Sequence, residues 1–211
     1  MPILTEHQTD TITELINIAF SRTAAALSEL TGARVLLDKP QVELHTIDQL
    51  THTLHDYVKG EVATVHQIFS GPVAGDALLL LNYEGAVTLA NLLTDAPLAT
   101  PQLDSSAREV LIEVGNILLN ACLGTFGNLL RVHISFSVPR LHLEELNDML
   151  HTLTIGSDEL RYALVVYTNF RLRDSTVGGY LALVLGVASL ERLLQAVEEW
   201  EKSQVSKATK P

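Results

Sequence analysis

Glu109, Glu113, Asn116 and Asn120 follow one another at spacings of four, three and four residues within AREVLIEVGNILLNACLGTFGNLL, residues 107–130. Near the N-terminus Asp10, Glu14, Asn17 and Ser21 repeat the same spacings. A helix turns by about 100° per residue, so each set forms one polar stripe along one helix face. Leu111, Val114 and Leu118 in one segment, and Leu15, Ile16 and Ala19 in the other, place an apolar face on the opposite side, so the stripes are expected to look outward. A carboxamide is a very poor base, but it can hold a water through its donor and its acceptor together. That is catalysis by position, and it suits phosphoryl transfer, where alignment and charge compensation carry most of the barrier reduction. Glu could act as a general base or pair with a lysine on a partner. A flat helix surface offers no pocket for a small substrate, so such a pair would have to insert into another protein's active site.

These stripes belong to a chain that repeats itself. Residues 10–42 align with residues 109–141 without gaps at a shift of 99, which sets Glu14 on Glu113, Asn17 on Asn116 and Pro40 on Pro139. Further on, GDALLLL (75–81) matches GYLALVL (179–185), and TLANLL (88–93) matches SLERLL (189–194). Each copy reads as helix, strand, a short irregular or helical piece, strand, strand, helix. A helix over about 6–30 stops at Gly32, ARVLLD forms a strand ending near Pro40, and residues 60–71 and 75–83 form two strands with Gly and Pro at their turn. The repeats are expected over about 6–95 and 105–203, joined by a linker at 96–106 and followed by a loose polar tail at 204–211. Gly124 and Gly127 are expected to mark the end or a close-packed stretch of the second long helix. Strands joined by short turns and flanked by helices favour an antiparallel sheet and the α+β class; no β-α-β alternation with a Gly-rich turn suggests a nucleotide-binding fold.

The 211 residues are 47% hydrophobic and 18% charged, enough for a sizeable core. A net charge of -11 argues against nucleic acid, which needs clustered Lys and Arg. No apolar run reaches the roughly 18–20 residues of a membrane span, and the acidic N-terminus does not read as a signal peptide, so a cytoplasmic protein without membrane insertion is expected. The one cysteine, Cys122, excludes an intrachain disulfide framework and is read as core packing. His45, His52, His55 and Asp56 invite a metal reading, but they lack cysteine partners and a counterpart in the second copy, so no metal is assigned. Trp200 is read as a core residue.

A lone Glu–Asn pair one turn apart is most simply a solvated helix face. Here the pair recurs in both copies, each time with 22 residues between the Asn and a Pro, a detail that drift among surface residues would scramble. The pattern, DTITELIN with Pro40 and EVLIEVGN with Pro139, resembles the signature of the CheC/CheX/FliY phosphatases of bacterial chemotaxis. The wider EVGNILLNACLGTFGNLL…FSVP is similar to CheC in particular, and the repeat covers nearly the whole chain. The resemblance implies a pseudo-twofold α+β fold whose long helices carry the motif. It implies a phosphatase acting on the aspartyl phosphate of a phosphorylated CheY-type response regulator. Asn116 and Asn17 would align the attacking water, and Glu113 and Glu14 would pair with the regulator's active-site Lys. Asp10, Glu109, Asn120, Ser21, Pro40 and Pro139 would support them. No cofactor is implied for this chain, since magnesium would belong to the regulator; CheD, a receptor deamidase, is a further implied partner. Two departures stand out. Glu109 occupies a place usually held by Asp or Ser, and Ile16 a place usually held by Gly, where its bulk is expected to hinder docking. The competing functions are a non-catalytic scaffold like the flagellar switch protein FliM, which lacks the catalytic pairs, and an adaptor for a CheD-like deamidase. Retention of Glu and Asn in both copies favours the enzyme.

Overall fold

The structure, a computed structural model, describes residues 4–57, 60–93, 102–131, 133–154, 161–172 and 175–208. Its first element, α1 (Glu6–Thr31), is opened by a capping box. Thr5 accepts a hydrogen bond from the Gln8 backbone N–H while the Gln8 side chain accepts from the Thr5 N–H. Gly32 ends the helix in the left-handed conformation, at φ 63°, which glycine adopts without a Cβ penalty. The chain continues through β1 (Val35–Leu37), β2 (Gln41–Thr46), α2 (Ile47–Tyr57), β3 (Glu61–Ser70), β4 (Gly75–Asn82) and α3 (Tyr83–Leu93). The second half repeats this order: α4 (Ser105–Leu130), β5 (Ser135–Phe136), β6 (Arg140–Glu145), α5 (Leu146–Thr154), β7 (Arg161–Leu172), β8 (Ser175–Gly186) and α6 (Val187–Ala208).

Among the described residues the strands form one eight-stranded antiparallel sheet in the order β1-β7-β8-β4-β3-β5, with β2 also on β7 and β6 also on β3. Exchanging the two halves turns this order into itself, so the sheet has the pseudo-twofold arrangement expected of a duplicated α+β protein. Each half lends its first two strands to the hairpin of the other half. The two repeats are therefore interlocked in one sheet.

The β3, β4, β7 and β8 strands are apolar on both faces, with period-two alternation between two cores. Val65, Leu79, Leu164 and Leu183 point into a large core, with Ile12 and Ile16 of α1 and Leu111, Val114 and Leu118 of α4. The intervening Val62, Leu78, Leu80, Ala163 and Val184 meet Leu50 and Leu54 of α2 and Leu146, Met149 and Leu150 of α5 in a smaller one. That double burial explains why ALLLL reads as an unbroken apolar run.

Several expectations need correction. The short irregular or helical piece is in both halves a strand followed at once by a helix. Residues 105 and 106 of the expected linker already form the first turn of α4, capped by Asp104; 96–101 lie outside the described residues. The expected loose tail is helical through Ala208, because α6 continues through sequence free of Gly and Pro and rich in Glu and Lys, with high helix propensity. Neither Gly124 nor Gly127 ends α4, which runs on to Leu130 with Leu123 and Phe126 buried on its inner side. Among the described residues one helix stretch, Ser105–Asn128, is long and apolar enough to cross a membrane, contrary to the expected absence of any such run; more than half of it is buried within the protein.

Candidate functional site

α1 and α4 pack against each other on one side of the sheet. Each sinks its apolar face into the large core and leaves its polar stripe facing out, as the periodicity requires. On α1, Asp10, Glu14, Asn17 and Ser21 are all exposed. On α4, Glu109 and Glu113 are exposed, whereas Asn116 and Asn120 are half-buried. Among the described residues nothing hydrogen-bonds or pairs with the carboxylates of Glu14, Glu109 and Glu113, or with the carboxamide of Asn17.

The carboxamide of Asn116 does have a partner. Asn120 donates from Nδ2 to Asn116 Oδ1 at 2.7 Å, one helical turn back. The sequence reading missed this bond, although side chains four apart on a helix are within reach of each other and Asn pairs at that spacing are stabilising. Ser21 holds the matching position in α1 and behaves differently. Its Oγ donates to the backbone carbonyl of Asn17 at 2.9 Å and leaves the Asn17 side chain alone.

The prolines of the pattern sit elsewhere. On β7, Phe170 pairs with Leu37 and Tyr167 with Gln41, so four steps along β1–β2 match three along β7. β5 and β6 do the same against β3, where Phe69 pairs with Phe136 and His66 with Arg140. Pro40 and Pro139 occupy these two one-residue bulges, where a missing N–H costs no ladder bond. Their place is structural: they end the first edge segment and restart the second one residue out of step.

Ile16 is 1% exposed and faces the core, so its bulk does not meet a docking protein. The expectation that it hinders docking is corrected. Its counterpart Gly115 is buried too, for a different reason. A Cβ there would lie 2.5 Å from Cγ1 and 2.7 Å from Cβ of Val65 on β3. Glycine lets α4 lie close on the sheet, and Asn116 is the next residue.

None of the described cavities is lined by Glu14, Asn17, Glu113 or Asn116. One of them, about 240 Å³, lies under α2 and is lined by Gln41, Glu43, His45, Tyr167 and Tyr180. His45 Nε2 lies 2.9 Å from Glu43 Oε2, and the side chains of His52, His55 and Asp56 fall outside the described residues. Among the described residues no group of three or more His, Cys, Asp or Glu could hold a metal ion. Trp200 packs at the border of the large core. Cys122 is fully buried on the core side of α4, and burial pushes its thiol up to about 12. Native protein is therefore expected to resist a thiol reagent such as dithionitrobenzoate at pH 8, and to react with it only after denaturation; rapid native labelling would show that α4 opens.

Comparison with known proteins adds the following. No family model matches the chain. It is 25% identical over 173 residues to the flagellar motor switch phosphatase FliY of Bacillus subtilis (strain 168), an alignment covering 81% of this chain and 43% of that protein. The chain thus spans less than half the length of that curated relative. Among solved structures, FliY of Thermotoga maritima superposes with a TM-score of 0.74 at 19% identity, over 94% of this chain and 99% of that one. The FliM middle domain from H. pylori superposes with a TM-score of 0.66 at 10% identity, over 92% of this chain and 99% of that one. These two superpositions share the fold of this chain: an antiparallel sheet with the paired long helices on one side.

Proposed function

We propose that this chain, a member of the chemotaxis-related CheC/CheX/FliY family, hydrolyses the aspartyl phosphate of a phosphorylated CheY-type response regulator. The observation that carries the reading is the pair of outward Glu–Asn stripes in the same register of α1 and α4. Each is held by a helix whose other face is locked into the core, each presents an exposed Glu, and none of the described cavities encloses either. An open surface suits a reaction whose substrate is itself a protein with a built active site.

In the proposed reaction a water attacks the phosphorus in line, the acyl–phosphate bond breaks, and the regulator's carboxylate leaves with inorganic phosphate as the other product. Asn116, and Asn17 in the first half, hold the water by their carboxamides. Such a group removes no proton, so its contribution is alignment and loss of freedom. Glu113, and Glu14, pair with the regulator's active-site lysine and fix the orientation of docking. Glu109 and Asp10, one turn before, add negative charge at the same edge of each stripe and favour a basic rim on the partner. The magnesium such regulators use is assigned to the regulator. A cytoplasmic location follows from that substrate.

A second reading, a regulator-binding or scaffold protein, is favoured by the fold match to FliM, a protein that also occurs in a FliG–FliM complex. Both readings are separated by following the decay of a phosphorylated CheY-type regulator with and without this protein. Faster decay is expected; binding without faster decay would establish the scaffold and end the phosphatase reading. Glu113→Lys sets like charges against each other at docking. It is expected to lower kcat/KM about 100-fold, consistent with like-charge contacts costing several kcal/mol, while the melting temperature holds because Glu113 is exposed. An unchanged kcat/KM would remove Glu113 from the interface.

A further inference from the structure

We infer that Asn120 is a positioning residue that presets the Asn116 carboxamide, so that the two sites are unequal by construction, with the α4 site prepared and the α1 site loose. The inference rests on the phosphatase reading for its catalytic consequence, but not for its structural content.

Helical side chains lean toward the N-terminus, so the side chain at one position covers the turn before it. Asn120 therefore lies over Asn116, and its Nδ2 reaches Asn116 Oδ1 at 2.7 Å. That bond fixes the turn of the Asn116 amide plane. Oδ1 points along the helix toward Asn120, and Nδ2 is left with both protons for a ligand on the outer side. Oδ1 keeps a second lone pair, so a water can still donate to it. Asn116 is half-buried, which further restricts its rotamers.

Asn120 accepts a cost in this arrangement. Its own Oδ1 is buried and has no hydrogen-bond partner among the described residues. Buried acceptors are rarely left unpaired, and an apolar residue at this place on a largely apolar helix would avoid the penalty. An amide that is badly satisfied where it stands, yet well placed to hold its neighbour, is explained by the neighbour.

The first half lacks the device. Ser21 is too short to reach a side chain one turn back, and its hydroxyl is already given to the Asn17 carbonyl. Asn17 is exposed with its carboxamide unheld among the described residues. It must lose its rotational freedom each time it engages a regulator, whereas Asn116 has lost it beforehand.

Two measurements test this together. Side-chain amide relaxation by NMR is expected to give Asn116 an order parameter of about 0.8 and Asn17 one below about 0.6. Asn120→Leu, which has no donor, and Asn120→Ser, which is too short to reach the Asn116 carboxamide, are expected to bring Asn116 down to the Asn17 level. In an Asn17→Ala background, so that only the α4 site reports, both are expected to lower kcat about tenfold with KM for the regulator changed less than twofold, as fits a small misplacement of a positioned group. Equal order parameters for Asn17 and Asn116 in the wild type would overturn the inference regardless of activity. So would a loosened Asn116 with undiminished kcat. Failure of the phosphatase reading looks different: Asn116 is held and the variants loosen it, yet the wild type never speeds decay.

Discussion

Asn17→Ala combined with Asn116→Ala is expected to remove the acceleration of regulator dephosphorylation, a fall of about 100-fold or more in kcat, while affinity for the regulator stays within a few-fold. The size follows from the role. A group that aligns the nucleophile contributes through restricted geometry, and deleting a single preorganised hydrogen-bonding group of this kind typically costs about 10²–10³ in rate. Binding should survive because Glu14 and Glu113 remain on the surface, unengaged among the described residues. The single variants carry a second answer. Two equal and independent sites would leave about half of the activity when either is lost, since distant sites add. With the α4 site prepared by Asn120, Asn116→Ala should remove most of the activity and Asn17→Ala little. Stopped-flow decay of the phosphorylated regulator, run beside a binding titration, reads both quantities. An undiminished rate in the double variant would show that neither carboxamide aligns water.

The stripes were legible because helical period, cap and repeat agree. A 3.6-residue pattern predicted α1 over about 6–30 and the structure has Glu6–Thr31; the β3–β4 hairpin carries its turn chemistry in SGPVAG. What was not legible has a common cause in tertiary packing. β2 passes into α2, and β6 into α5, with no Gly or Pro between strand and helix, so the sequence gives no punctuation where the backbone changes state. Gly124 and Gly127 each disfavour helix by about 1 kcal/mol relative to Ala, but burial of Cys122, Leu123 and Phe126 on the same turns outweighs that local preference. The interleaving of the halves, in which β2 completes β7 and β6 completes β3, is a long-range choice that no local pattern encodes. At the site, the period placed the α1 stripe, Glu109 and Glu113 on exposed surface, while Asn116 and Asn120 are half-buried. It did not separate Asn116 from Asn17, because the difference between them lies in what the residue four positions later does with its own side chain.

Gly115→Ile, which installs the residue that α1 carries at the matching position, is expected to lower stability by about 3 kcal/mol or more, the upper range for overpacking a core. For a chain of this size that corresponds to a melting temperature roughly 6–12 °C lower. The clash is with Val65, whose Cγ1 would lie 2.5 Å from the new Cβ before any further atom of the isoleucine is placed. Val65 cannot swing aside easily. It is β-branched and therefore stiff about χ1, it is 1% exposed, and it sits between Leu79 of β4 and Leu141 of β6 in the sheet. Relief must come from α4 rising off β3, which would carry Asn116 and Asn120 with it. Gly115→Ala isolates that geometry, since alanine gains about 1 kcal/mol of helix propensity over glycine and any net loss must come from the contact. Val65→Gly removes all three atoms that crowd the new methyl, Cγ1, Cβ and Cγ2, so the pair Gly115→Ala with Val65→Gly should be less damaging than the sum of its parts by about 0.5–3 kcal/mol, the coupling expected of residues in direct contact. Strict additivity in chemical denaturation would mean that α4 does not rest on Val65, and the close seating of the Asn116 helix would have to be explained without it. The reverse exchange does not mirror this one. Ile16→Gly leaves a hole in the core under α1 instead of a clash, and costs stability through lost burial and a flexible backbone while Asn17 keeps its height above the sheet. The two halves share one motif but carry different residues beneath it: Gly115 lets α4 lie close on Val65, whereas Ile16 fills the core under α1 with its own side chain.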